Sequence, residues 1–92
     1  MYRILLSCSG VSDSAAVAGV LDITEEFSGR PWQQNVVCFR DGGLLMLKAE
    51  NDFDSTGQAT LDEFSDAVCA CVPIEDTDIG FSIVSVSGTP GN

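Results

Sequence analysis

The sequence predicts an α+β fold, and three observations predict it. Short runs with an apolar period of two, such as Tyr2, Ile4, Leu6 and Cys8, mark strands. Two longer runs with a period of 3.6 mark helices. Turn and stop signals at Ser9-Gly10, Ser28-Gly29-Arg30-Pro31, Asp41-Gly42-Gly43 and Pro73 set the order: strand, helix, strand, strand, helix, strand. The 92 residues make one domain, expected over 1–87, with a frayed tail at 88–92. A chain this short buries only about 60–65% of its unfolded surface, so its core has little to spare.

The first strand is expected over 2–9, with Arg3, Leu5 and Ser7 on the face opposite Tyr2, Ile4, Leu6 and Cys8. Ser12 or Ser14 can cap the first helix, and Asp13 suits its positive end. That helix is expected over 13–27, with an apolar stripe of Ala16, Val20, Ile23 and Phe27 flanked by Val17 and Leu21. Asp22, Glu25 and Glu26 take the wet side. Gly29 suits a left-handed C-cap, and Pro31 cannot continue the helix. A second strand follows over 32–40. In Asp41-Gly42-Gly43, glycine supplies the positive φ of a tight hairpin, and a third strand returns over 44–49. The second helix, over 61–71, carries Leu61, Phe64, Val68 and Cys71 in its stripe, with Ala67 alongside. The last strand covers 80–87 with Phe81, Ile83, Val84 and Val86. This is the split-βαβ, ferredoxin-like order βαββαβ: a four-stranded antiparallel sheet with two helices on one face and the first and third strands central. Leu5, Val37, Phe39, Leu45, Leu47, Phe81 and Ile83 supply more than one face of that sheet. Either the open face meets a partner, or twists and bulges bury both sets.

The absences narrow the chemistry. The chain has no histidine, which removes the usual general base near neutral pH and Ser–His or Cys–His nucleophilic catalysis. It has no phosphate-binding glycine loop. Cys8, Cys38, Cys69 and Cys71 read as small buried hydrophobes of a cytosolic chain. Their spacing lacks a C-x-x-C pair, and Cys69 and Cys71 diverge by about 200° on a helix, so zinc is not expected. No run is long and apolar enough for a signal peptide or a transmembrane helix, and the expected location is cytoplasmic.

Charge is the strongest functional signal. The net charge is −10. From Glu50 onward the chain carries Glu50, Asp52, Asp54, Asp62, Glu63, Asp66, Glu75, Asp76 and Asp78, with no Lys or Arg; the first half is nearly balanced. Within this acidic half, the spacing D-x-D-x-T-G-x-x-T-x-x-E from Asp52 to Glu63 resembles the calcium loop of the EF-hand family. The resemblance implies Asp52, Asp54 and Thr56 as side-chain ligands, Gly57 at the sharp turn, Gln58 through its carbonyl, Thr60 at the ninth position and Glu63 closing the site. It spans the loop and the apolar positions Phe64, Ala67 and Val68 of the following helix. Thr56 and Ala59 depart from the family pattern, and a strand stands where the first helix of the family motif should be. The same letters also read as structure. Thr60-x-x-Glu63 is a capping box, and Asp54-Ser55-Thr56-Gly57 is a turn.

The leading expectation is a non-enzymatic acidic inhibitor. Asp52, Asp54, Asp62, Glu63, Asp66, Glu75, Asp76 and Asp78 would dock onto a basic, nucleic-acid-binding site of a partner protein. Anti-CRISPR and other DNA-mimic proteins of phages and mobile elements, and bacterial immunity proteins, are similar in size and charge. Direct nucleic-acid binding is not expected, because Arg3, Arg30, Arg40 and Lys48 are few and scattered among acids. One alternative is a regulatory or assembly domain dimerising through its open sheet face. Another is a module stabilised by calcium at 52–63. Catalysis by Asp62 and Glu63 is not expected, since neighbours on a helix diverge by about 100°.

Overall fold

The computed structural model describes residues 1–71 and 79–88. The described elements follow the expected order: β1 (Tyr2–Ser9), α1 (Asp13–Ser28), β2 (Gln34–Asp41), β3 (Leu44–Asn51), α2 (Gln58–Cys71) and β4 (Gly80–Gly88). They form an α+β fold with one antiparallel sheet in the order β2-β3-β1-β4, consistent with a ferredoxin-like arrangement. β1 and β3 are central, as the crossover rules require.

Register decides what each face carries. Ile4, Leu6 and Cys8 lie beside Ala49, Leu47 and Leu45. These side chains pack with Ile23 and Phe27 of α1 and with Phe64, Ala67 and Val68 of α2 in one core. Phe81 of β4 meets Phe64 edge-on, with ring centroids 5.7 Å apart. Between Leu5 and Leu6 the β4 pairing shifts: Leu6 opposes Ile83, while Leu5 opposes Ser85. The bulge leaves Val84 exposed and turns both Ile83 and Val86 toward the core. Strict alternation would have put Val86 with Val84, on the face opposite Ile83, so the extra residue brings Val86 back to the core side of the strand. Leu45, Leu47, Phe81 and Ile83 thus belong to the core. Leu5, Val37 and Phe39 belong to the opposite face, which neither helix covers.

The hairpin forms as expected, with Gly42 and Gly43 both at positive φ (58° and 86°) and Asp41 paired to Leu44. β2 starts at Gln34, two residues later than expected. Pro31 and Trp32 are held in a turn closed by the Gln33 N–H on the Arg30 carbonyl (2.9 Å). Asn35 (φ 51°) then breaks the ladder before Val37.

Ser12 is the N-cap of α1; its hydroxyl accepts from the Ala15 N–H. The expected stripe faces the core, with Val20 half-buried against it, but the expected flank does not. Ala16, Gly19, Ile23 and Phe27 are buried, whereas Val17 and Leu21 are exposed at 59% and 77%. Small residues at 16 and 19 let this side of the helix approach the sheet, so it wins over the bulkier flank. Gly29 is not left-handed (φ −80°); its N–H and that of Arg30 instead continue the helix end as tight turns. Cys8 and Cys38 are buried as expected, but Cys69 is exposed and Cys71 half-buried, because α2 turns Ala67 and Val68 inward. β4 runs one residue past its expected end, with Gly88 beside Tyr2.

The exposed flank makes a prediction. Ile23→Ala should cost about 2–5 kcal/mol, whereas Leu21→Lys should stay within about 0.5 kcal/mol. Urea unfolding of the two variants checks this, and equal losses would mean that the phase of α1 is wrong.

Candidate functional site

The linker between β3 and α2, where the EF-hand-like spacing lies, folds around a buried polar knot. Gln33, Asn51, Asp54 and Thr60 are all buried. Asn51 Oδ1 accepts from the Phe53 and Asp54 N–H groups at 3.2 and 2.9 Å. Its Nδ2 donates to Gln33 Oε1 (3.0 Å) and Thr60 Oγ1 (3.1 Å). Gln33 Nε2 donates to Thr60 Oγ1 and to Glu63 Oε2, each at 3.3 Å. Asp54 Oδ1 accepts from the Gly57 N–H (3.0 Å), and Oδ2 from the Thr60 N–H (2.7 Å). Among the described residues no buried side-chain polar atom lacks a partner.

Asp54 therefore caps α2. The Gly57 carbonyl accepts the first helical bond, from Leu61. Gly57 (φ 84°) is tucked against the core, where an added Cβ would lie 3.0 Å from Val86 Cγ2. The Thr60–Glu63 capping box does not form: Thr60 is already inside the helix, and its hydroxyl is held by Asn51, Gln33 and Asp54. Burial alone would push Asp54 up. Hydrogen bonds from the Thr60 hydroxyl and from the Thr60, Ala59 and Gly57 N–H groups outweigh it and hold the carboxyl below its ordinary value.

Glu63 faces the end of α1. Its carboxylate accepts from Trp32 Nε1 at 3.0 and 3.1 Å and pairs with Arg30 Nε at 3.1 Å. Arg30 also approaches Glu26 (3.7 Å) and lies over the Phe27 ring. Of the expected docking residues, Asp54 and Glu63 are thus engaged inside the fold. Asp52, Asp62 and Asp66 are exposed. Glu75, Asp76 and Asp78 lie outside the described residues. Of the remaining EF-hand positions, Thr56 and Gln58 are exposed; Thr56 Oγ1 accepts from the Gln58 N–H, and Gln58 Nε2 donates to Asp62. Among the described residues no group of three or more Cys, Asp or Glu is placed to hold a metal ion.

The fold adds acids that the linear reading left apart. α1 and α2 pack on one face of the sheet. Asp22, Glu25, Glu26 and Ser28 of α1 line an open groove of about 570 Å³ with Ala70 and Cys71 of α2. Asp62 and Asp66 stand on the outer side of α2. The helical layer is thus acidic from both helices. Asp22, Glu25 and Glu26 were visible in the sequence as a wet helix side; the pairing of the helices is what joins them to the second half. The bases are mostly occupied. Arg3 pairs with Glu50, Arg30 with Glu26 and Glu63, and Arg40 with Asp13.

The two buried thiols, Cys8 and Cys38, are held in the neutral form. Burial, then the neighbouring Cys69, pushes the Cys8 thiol up to about 11. Burial, then Cys8, pushes Cys38 up to about 12. No helix among the described residues is long and apolar enough to cross a membrane. Comparison with known proteins finds no matching family model, no matching curated protein and no matching solved structure.

The cap predicts a pH signature. Asp54→Asn turns an amide donor toward an N–H donor and should cost about 1–3 kcal/mol at neutral pH. The folded-state pKa of Asp54 is depressed, so its contribution is fully present above the unfolded value, near about pH 4, and is lost as pH falls through the folded value. The gap between wild type and Asp54→Asn in denaturant unfolding should narrow below that point. A gap that stays constant into acid would remove the carboxylate from the cap.

Proposed function

We propose that this chain is a non-enzymatic acidic binding protein. Its helical layer docks onto a basic, nucleic-acid-binding site of another protein and blocks it, as DNA-mimic and anti-CRISPR proteins do. One observation carries the reading: Asp22, Glu25, Glu26, Asp62 and Asp66 all belong to the helical layer, and Arg30, the base among them, is already held by Glu26 and Glu63. Such a layer attracts a cationic surface at long range and orients it on contact. We read the sheet, whose order from its other edge is β4-β1-β3-β2, as the ferredoxin-like scaffold that presents this layer. On this reading the 52–63 loop needs no metal, because Asp54 and Glu63 already satisfy protein donors.

Two measurements test the proposal. The first is displacement of labelled duplex DNA from basic nucleic-acid-binding proteins, followed by anisotropy at low and physiological salt. The wild-type chain should displace DNA, less so as salt rises, and a variant with Asp62→Lys and Asp66→Lys should lose about tenfold or more in potency. Glu63 is left intact because its reversal would break the contacts to Arg30 and Trp32. Potency unchanged by both salt and charge reversal would end the docking idea. The second is a thermal melt with calcium, magnesium or chelator, in which the three curves should coincide. A ligand at about 100 times its Kd adds about 2.7 kcal/mol, so a calcium-specific rise lost on Asp52→Ala would be unmistakable and would restore a metal role to the loop.

A further inference from the structure

The exposed side of α1 divides into two chemistries along its length. Its first half presents Val17, Ala18 and Leu21 to solvent, with Val17 59% and Leu21 77% exposed. Its second half presents Asp22, Glu25 and Glu26. Val17, Leu21 and Glu25 lie four residues apart, so they stack in one line on the helix surface. Ala18, Asp22 and Glu26 form the neighbouring line by the same spacing. Apolar side chains and acids thus share one continuous strip on a helix about 24 Å long. The other side of α1, with Ala16, Gly19, Ile23 and Phe27, makes the contacts with the core. The fold therefore does not require Val17 or Leu21 to be apolar.

Charge restricts what fits this strip. α1 carries no Lys or Arg. Asp13 is held by Arg40, and Glu26 shares Arg30 with Glu63. Asp22 and Glu25 have no ion pair among the described residues. With Glu26 they also line the groove toward α2, so the strip and the groove beside it have the same sign. A second copy laid along α1 would bring acids against acids. Duplex DNA or an anionic bilayer would bring phosphates against them. A surface made only of Lys and Arg would satisfy the acids and leave Val17, Ala18 and Leu21 wet. The complement carries apolar side chains along one stripe and bases beside them. A basic amphipathic helix has that composition, at the same 3.6-residue period as the strip it meets.

We propose that α1 seats a cationic amphipathic helix of the partner protein. The apolar stripe of that helix covers Val17, Ala18 and Leu21, and its Lys and Arg side chains meet Asp22, Glu25 and Glu26. This inference rests on the reading of the helical layer as a docking surface for a basic partner, and it names the element that docks. Salt screens the acids but not the apolar contacts, so the apolar contacts hold the complex where attraction between charges has weakened. One helix laid on another stays at the small end of interface sizes, below about 1,200 Å², which sets the expected affinity in the micromolar range.

Two labelled synthetic peptides of about 18 residues, enough to run the length of α1, test it by anisotropy at physiological salt. One carries Leu and Lys at the helical period; the other keeps every Lys and has Ser in place of each Leu. The wild-type chain should bind the Leu–Lys peptide about tenfold or more tighter than the Ser–Lys peptide. Val17→Ser combined with Leu21→Ser should erase that difference and leave the weaker, charge-driven binding. Asp22→Lys combined with Glu25→Lys should weaken the Leu–Lys peptide by about tenfold or more. All four positions are exposed, and circular dichroism confirms that each variant is folded. Equal binding of the two peptides overturns this inference and leaves the basic-partner reading standing. Binding of neither peptide overturns both. A preference for the Leu–Lys peptide that survives Val17→Ser with Leu21→Ser overturns the assignment to α1.

Discussion

The Asn51 amide holds together the parts of the chain that have no ladder to hold them. It stands at the end of β3 and grips the linker backbone through its oxygen. Through its nitrogen it grips Gln33, ahead of β2, and Thr60, inside α2. Asp54 then fastens the helix start from below, at Gly57 and Thr60. Each such bond is worth about 1 kcal/mol net, but each partner left unmatched in this buried place would cost about 1–3 kcal/mol. The knot is therefore less a source of stability than a condition for the only arrangement that satisfies it. It fixes the start of α2, and with it the direction in which Asp62 and Asp66 leave the surface. Through Gln33 and Glu63 it also reaches Arg30 and Trp32, so the end of α1 is set by the same contacts.

The charges follow a different logic from the knot. Exposed ion pairs contribute about 0–1 kcal/mol, so Arg3–Glu50 and Arg40–Asp13 do little for stability. What they do is remove cations from circulation. The exposed acids of the helical layer keep their field because the nearby base is already shared between two carboxylates. Like charges at such spacing repel by about 1 kcal/mol or less per close pair in water, a burden that a small core can carry. Their distribution over both helices is a property of the tertiary fold: Asp22, Glu25 and Glu26 come from the half of the chain that is nearly neutral in sequence.

Much of the fold was legible because its signals are local. The alternation in β1, the paired glycines at 42 and 43, and the serine cap at 12 each depend on a few neighbouring residues, and each forms as read. What was not legible depends on partners far along the chain. The spacing of Thr60 and Glu63 satisfies a capping box locally, yet Thr60 is taken by Asn51 and Gln33, and Glu63 by Trp32 and Arg30. The phase of α1 turns on which side can approach the sheet, and Ala16 with Gly19 answers that better than Val17 with Leu21. Candidate acids divide the same way. Asp62 and Asp66, plain surface positions of a helix, lie outside as read; Asp54 and Glu63, equally acidic in sequence, are drawn inward by donors that only the fold supplies.

The sheet gives the molecule two unlike faces from one periodicity. In β1 and β3, alternate residues go to a core sealed by two helices, and the residues between them go to the opposite face, which neither helix covers. Selection for burial alone would leave that second set polar, as it does on β4 with Ser82, Ser85 and Ser87. On β2 and β3 it left Val37, Phe39, Leu44 and Met46 instead. The same strands also carry Lys48, which has no ion pair among the described residues. An apolar patch and an unpaired cation at one place, in a chain otherwise rich in anions, are costs to solubility that the isolated fold does not require.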